Sequence, residues 1–121
     1  MRQLPYASYR DDTVFERERR VLFHGGFNCI AHAHQLPDAN DIMPVRVCGE
    51  PLLLRRQQDG LLALQGNVCA HRGALLVEEK SNQKIITCPY HKWSYDGDGR
   101  LLGTPYCNKE SEGLEGAGLQ S

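Results

Sequence analysis

The sequence contains no apolar run approaching the length of a bilayer crossing, so no membrane-spanning helix is expected. It has no excess of either charge: 14 Lys and Arg stand against 15 Asp and Glu, a net charge of -1. Nucleic-acid binding needs a basic face, so no nucleic-acid partner is expected, and no membrane partner. The opening residues, Met1-Arg2-Gln3-Leu4-Pro5-Tyr6, hold neither an apolar signal core nor an Arg/Ser-rich presequence, which makes a cytoplasmic location the expectation. An even set of cysteines is also missing. The five present are Cys29, Cys48, Cys69, Cys88 and Cys107, an odd count that argues against a disulfide framework. Cys29, Cys48 and Cys107 have no Cys or His neighbour at a repeating ligand spacing, and they read as reduced thiols packed as small hydrophobes. There are no internal repeats, and 121 residues fit one small domain.

What is there begins with a helix over residues 12 to 24. Thr13-x-x-Glu16 is a capping-box pattern with Asp12 as a competing N-cap. Val14, Phe15, Glu18, Val21 and Leu22 fall on or near one face at helical spacing, Glu16 and Arg20 can pair one turn apart, and Gly25-Gly26 is a stop signal. The period then changes to two, and Phe27 to Ala33 is expected as a strand. His32 and His34 would share a strand face, but no third ligand is near in sequence and they read as surface histidines. Gln35 to Asp41 is a polar connection. Three short strands follow, Val45-Cys48, Leu52-Arg55 and Leu61-Leu64, with turns at Gly49-Glu50-Pro51 and Gln58-Asp59-Gly60. This antiparallel meander delivers the chain to Cys69. Glu78 to Lys84 is a polar crossing, Ile85-Thr87 a strand leading to Cys88, and Trp93-Tyr95 a strand leaving it. Asp96-Gly97-Asp98-Gly99 is a tight turn before Arg100-Leu102; a calcium loop would need a downstream bidentate carboxylate that is absent. Gly116-Ala117-Gly118 lacks the flanking strand and helix of a phosphate loop, and the tail reads as coil. The expected division is an approach segment over 1–40, a central domain over 41–107 and an irregular tail over 108–121.

The chemistry is concentrated in Cys69-Ala70-His71-Arg72-Gly73 and Cys88-Pro89-Tyr90-His91-Lys92-Trp93. Each stretch offers one thiolate and one imidazole. A structural zinc site usually takes its close pairs as two cysteines and two histidines. Here both pairs are mixed, which suits a binuclear centre with both cysteines on one iron and both histidines on the other, the Rieske [2Fe-2S] arrangement. Zinc remains the alternative metal. Neutral imidazoles in place of two thiolates leave less negative charge and raise the reduction potential.

Asn67-Val68-Cys69-x-His71-Arg72-Gly73, Cys88-Pro89-Tyr90-His91-x-Trp93-x-Tyr95-Asp96, Gly99-Arg100-Leu101 and Pro105 together resemble the Rieske domain of ring-hydroxylating oxygenase alpha subunits. Phe15 to Phe23, Leu36-Pro37, Gly49-Leu52 and Arg55 to Gly60 are similar to the approach segment of the same subunits. The resemblance implies a mostly β fold, a Rieske-type antiparallel β sandwich with two cluster-binding loops preceded by one N-terminal helix. It implies Cys69, His71, Cys88 and His91 as the ligands of a [2Fe-2S] cluster. It also implies electron relay, with a ferredoxin or flavin reductase as donor and a catalytic oxygenase domain or neighbouring subunit as acceptor. Cytochrome-type Rieske proteins carry two further cysteines, where this chain has Ala74 and Tyr90, and a serine where it has Trp93. Trp93 and Tyr95 are expected to shield the cluster and pack the loops.

Two departures qualify the resemblance. The family usually has glycine at Lys92, so a left-handed backbone there would be strained. The family's mononuclear iron is held by two histidines and a carboxylate, and all five histidines here lie at or before His91. The expectation is an electron-relay part of an oxygenase subunit. A stand-alone ferredoxin-like carrier and a degenerate, non-enzymatic metal-binding fragment are the alternatives.

Overall fold

The computed structural model describes residues 3–105 and 118–119. They fall into two units, residues 1–30 and 31–121, which are taken in turn.

The first unit is helical. Tyr6–Tyr9 forms a 3-10 turn, α1 runs over Asp12–Glu18, and the chain continues as a π-helix over Arg19–His24. The expected helix over 12 to 24 is therefore present, with its second half widened. Its N-cap is neither Asp12 nor Thr13 but Asp11. The Asp11 carboxylate accepts from the Thr13 backbone N–H at 2.9 Å and from the Thr13 hydroxyl at 2.6 Å. It satisfies a donor that the first turn leaves free. Glu16 pairs with Arg19 at 3.6 Å rather than with Arg20. The expected strand over Phe27 to Ala33 does not form. Alternation needs a neighbouring strand to pair with, and none pairs here. Instead the Asn28 amide donates back to the carbonyls of Leu22, Phe23 and Gly26, closing the helix end.

The second unit opens with a 3-10 turn, Ala33–Gln35, in which the Gln35 side chain accepts from the His32 N–H at 2.9 Å. His32 and His34 are both exposed. Four strands form one antiparallel sheet: β1 Asp41–Val47, β2 Glu50–Arg56, β3 Leu62–Gly66 and β4 Ser81–Asn82, in the order β3-β2-β1-β4. The expected meander is its first three strands. β1 begins four residues earlier than its sequence reading because Pro44 does not interrupt it. β4 pairs only with Asp41 and Ile42, so beyond them that side of β1 has no strand asking for the N–H that Pro44 lacks. The turn into β2 is Cys48-Gly49, with φ of 52° and 86°, a two-residue hairpin. Glu50 and Pro51 therefore belong to the strand and Cys48 to the turn. Cys48 is half-buried and Cys29 exposed, so neither packs as a core hydrophobe; Cys107 lies outside the described residues. Within the expected polar crossing, Ser81–Asn82 is short and has no apolar pattern. Its pairing comes from Asn82, whose amide donates to Ala39 O and Asp41 Oδ1.

A second sheet holds β5 Ile86–Thr87, β6 Ser94–Tyr95 and β7 Leu101–Gly103, in that order and antiparallel. The Asp96–Gly99 turn is tied by Asp96 Oδ1, which accepts from the N–H groups of Asp98 and Arg100. Most of the tail, residues 108–117 and 120–121, lies outside the described residues. Of the remainder, Gly118 forms an isolated β-bridge to Arg100, and buried Leu119 donates its N–H to Gly99 O at 2.8 Å, so these two residues are fastened to the turn before β7 and are not free coil. Both sheets feed one core. Ile42 and Leu53 come from the first, Ile86 and Tyr95 from the second, and Cys69, Leu76, Val77, Cys88, Trp93 and Leu119 join them.

Arg55 is fully buried in this unit. Its guanidinium donates to Gln83 O at 2.8 Å, Lys84 O at 2.6 Å and Asp96 O at 3.1 Å. Those carbonyls flank β5 and β6, so one side chain on β2 ties the two sheets together. A planar fork serves three separated acceptors as an ammonium does not. Arg55→Leu should cost about 2–4 kcal/mol through the lost charged hydrogen bonds and the stranded carbonyls, read as a lower urea midpoint with an unchanged slope.

Candidate metal centre

The two Cys-His loops share one backbone plan. In the first, Cys69 N–H donates to Ala74 O and Gly73 N–H donates to Cys69 O, both at 2.8 Å. In the second, Cys88 N–H donates to Trp93 O at 2.8 Å and Lys92 N–H to Cys88 O at 3.1 Å. Both are six-residue hairpin loops that open on a cysteine and close through a left-handed residue: Gly73 at φ 71° and Lys92 at φ 61°. The sequence reading expected strain if Lys92 had positive φ, and it has. The neck of the first loop is narrow. Val68 bridges Leu75, and the buried Asn67 amide accepts from Val77 N–H at 3.0 Å and donates to Val77 O at 2.7 Å. One side chain thus satisfies both backbone groups of the returning segment.

These loops place four donors together. Cys69 and Cys88 are buried and line the same cavity. His71 and His91 are half-buried, with ring centroids 4.7 Å apart and planes at 87°. All four line one cavity of about 240 Å³ with Arg72, Ala74 and Tyr90. The thiols sit on its buried side and the imidazoles toward solvent. Among the described residues no three His, Cys, Asp or Glu side chains form a group that could hold a single metal ion; the two thiols and the two imidazoles line the cavity together.

Their surroundings favour the ligating forms. Burial lowers the His71 pKa, and the neighbouring His91 and Arg72 lower it further, which keeps the ring neutral. The Cys88 thiol is raised by burial. The N–H groups of Tyr90 and His91, the Cys69 thiol and the Lys92 ammonium outweigh that, and its pKa falls. His71 Nδ1 is buried without a hydrogen-bond partner among the described residues. A buried, unpartnered nitrogen is costly, and its position beside a cavity shared with two thiols is what a metal-ligating atom needs. The donors therefore fit a [2Fe-2S] cluster.

Trp93 stacks on His71 of the other loop, with centroids 4.7 Å apart and planes at 16°, so it packs the loops as expected. Tyr95 does more than pack. It is fully buried, and its hydroxyl accepts from Ala70 N–H at 3.0 Å and lies 3.1 Å from Cys69 Sγ. With its lone pair engaged, its proton is free to point at sulfur. Burial and the Cys69 contact raise its pKa, so that proton is retained. The sequence points only to shielding and packing for Tyr95, and this hydroxyl contact goes beyond that. The signal was the phenol two residues after Trp93, placed by β6 toward the first loop.

The Rieske [2Fe-2S] domain family matches residues 26–117, and the chain belongs to that family. Within it, the chain is homologous to the Rieske domain of ring-hydroxylating oxygenase alpha subunits. It is 38% identical over 105 residues to the carnitine monooxygenase oxygenase subunit of Escherichia coli (strain K12), covering 86% of this chain and 28% of the relative. It is 34% identical over 116 residues to the anthranilate 1,2-dioxygenase large subunit of Burkholderia cepacia, covering 94% and 27%. A quaternary ammonium Rieske monooxygenase in complex with L-carnitine superposes with a TM-score of 0.88 at 34% identity, over 96% of this chain and 34% of that one. The naphthalene 1,2-dioxygenase of Rhodococcus sp. gives 0.83 at 26% identity, over 98% and 28%. The chain thus spans about a quarter to a third of the length of these relatives, and its mostly β, Rieske-type fold is theirs.

Two outcomes follow from this geometry. Tyr95→Phe removes the only side-chain hydroxyl placed on Cys69 among the described residues, and voltammetry should show a lower midpoint potential. Lys92→Gly relieves the left-handed strain and should stabilise the metal-free chain by about 1 kcal/mol. That gain is offset only by loss of a 3.4 Å contact from Lys92 Nζ to Pro89 O, and the urea midpoint measures the difference.

Proposed function

We propose that Cys69 and Cys88 hold one iron of a Rieske [2Fe-2S] cluster through Sγ, that His71 and His91 hold the other, and that the chain relays single electrons. The observation that carries this is the sorting of donors around one cavity: two buried thiols on one side, two half-buried imidazoles on the other, and a buried, unpartnered Nδ1 on His71. A two-and-two arrangement serves a binuclear centre, whereas zinc in a structural site takes four donors around one ion. Such a cluster, when bound, supplies reversible one-electron reduction at a potential raised by its neutral ligands. The chain's own part is to hold the thiols dry, keep the His71 ring neutral, direct the Tyr95 proton at Cys69, and present the imidazole edges as the route for electrons.

The partners follow from the relatives. The donor would be a ferredoxin or a flavin reductase. The acceptor would be a mononuclear iron in a catalytic oxygenase domain, on the same longer chain or on a neighbouring subunit. The location would be the cytoplasm; no helix among the described residues is long and apolar enough to cross a membrane. The matched relatives act on carnitine and on anthranilate, and an oxygenase of that broad class is the whole to which this relay would belong.

Visible absorption and electron paramagnetic resonance test the assignment. The purified chain should be coloured and give a rhombic signal after dithionite reduction, with two irons per chain. Cys69→Ser should lose both signals. A colourless chain carrying one zinc would refute the relay.

A further inference from the structure

The two metal loops close on the same backbone plan but not on the same residue. At Gly73 a side chain would meet nothing within 4 Å, so open space surrounds that position and φ alone selects the residue. Glycine meets that requirement without strain. At the matching position of the second loop the chain carries Lys92 at φ 61°. A side chain kept in the left-handed region against its backbone cost points to a use for that side chain.

What Lys92 offers is an exposed ammonium beside His91. Its Nζ lies 3.4 Å from Pro89 O, folded across the loop that carries the imidazole. From the first loop, exposed Arg72 lines the cavity with His71 and His91. Residues 67–77 and 85–95, which form both loops and their necks, contain no Asp or Glu. The acids Asp96 and Asp98 lie in the turn at the opposite end of β6. Glu78 and Glu79 follow the neck of the first loop and line a neighbouring cavity with Pro89 and Tyr90, but the cavity that both imidazoles share has Arg72 and no Asp or Glu among its lining residues, with Lys92 next to His91 in the chain. Two cations are too few for a nucleic-acid footprint, but they are well placed to orient one small acidic protein against an electron exit.

We propose that Lys92, with Arg72 on the other loop, is the contact that selects an acidic electron-donor protein for the imidazole edge. The idea rests on the relay assignment and adds the chemical character of the donor and the residue that reads it. Opposite charges at the contact raise the encounter rate and hold the partner with its own redox centre toward His71 and His91. Salt screens that attraction.

The test uses the full chain carrying its cluster, reduced in a stopped-flow instrument by a reduced, strongly acidic plant-type [2Fe-2S] ferredoxin. Wild-type reduction should slow as salt rises from about 0.01 to 0.5 M. Lys92→Gln removes the charge and keeps the strained backbone, and Lys92→Gly removes both. Each should lower the low-salt rate constant about 3- to 10-fold and meet the wild type at high salt. Lys92→Glu should fall further. Lys84→Gln, beside Asp96 and Asp98 at the acidic end, should leave the rate unchanged. Reduction by a cationic viologen radical should not slow in any variant. A wild-type rate indifferent to salt, or a Lys92→Gln chain with wild-type rate and salt dependence, overturns the proposal. So does a loss confined to Lys92→Gly, which would place the effect in the backbone. The visible spectrum, taken before any kinetics, separates the two levels: a chain without the cluster's colour removes the relay itself, whereas a coloured chain with salt-indifferent reduction removes only the docking.

Discussion

The relative position of the two metal loops depends on a buried guanidinium. β3 leads into Asn67, whose backbone N–H donates to Pro51 O on β2, so the first loop is fastened to the large sheet. The second loop hangs from β5 and β6, which belong to the small sheet. Arg55, on the same β2, donates to carbonyls just before β5 and just after β6. Both loops are thereby referred to one strand, and Cys69 and Cys88 meet because of it. Among the described residues no carboxylate pairs with the guanidinium directly. Burial lowers the Arg55 pKa, while Asp96 and Asp98 pull it back up. The charge is held by backbone dipoles, and charged hydrogen bonds to carbonyls are among the stronger polar contacts a protein makes.

Within each loop a second constraint operates. The two thiols share one cavity without bonding to each other. The loops achieve this by spending both backbone groups of each cysteine on closing its own hairpin. A cysteine fixed at N and O can aim its side chain in few directions, and both aim into one cavity. Trp93 then crosses from the second loop to stack on the histidine of the first, and Tyr95 crosses to reach Cys69. The residues that complete each half of the site thus come from the other half, so neither loop is finished alone.

The metal loops were legible in sequence because their donors, turns and necks are local: Cys69-x-His71 and Cys88-x-x-His91 lie within single hairpins, and Gly73 marks its turn. The meander was legible for the same reason, with Asp59-Gly60 setting one hairpin. What escaped depends on distant partners. Asp11 rather than Thr13 caps α1 because the choice among adjacent candidates is made by backbone geometry. Phe27 to Ala33 alternates like a strand, yet no strand pairs with it, and alternation carries no information about that. Ser81–Asn82 pairs through an asparagine with no apolar pattern to announce it, and Leu119 enters the core from the far end of the chain. Arg55 reads in sequence as one more strand-end charge; only the three carbonyls brought to it from residues 83, 84 and 96 explain its burial.

The burial gradient across the site bears on how a relay of this kind would work. Sulfur held out of water beside Tyr95 is shielded from the solvent that would otherwise stabilise charge indiscriminately, so a single hydrogen bond acquires leverage over the potential. The imidazoles are treated in the opposite way. Half-exposed and set edge to face, they place conjugated atoms where another protein can approach within contact distance. Removing solvent there would protect the metal further but would lengthen the path an electron must cross. The chain keeps the dry side for tuning and the wet side for exchange, and the cations at Arg72 and Lys92 lie on the wet side. The loop backbone is common to both sides, and the strained lysine closes the second loop on the wet one.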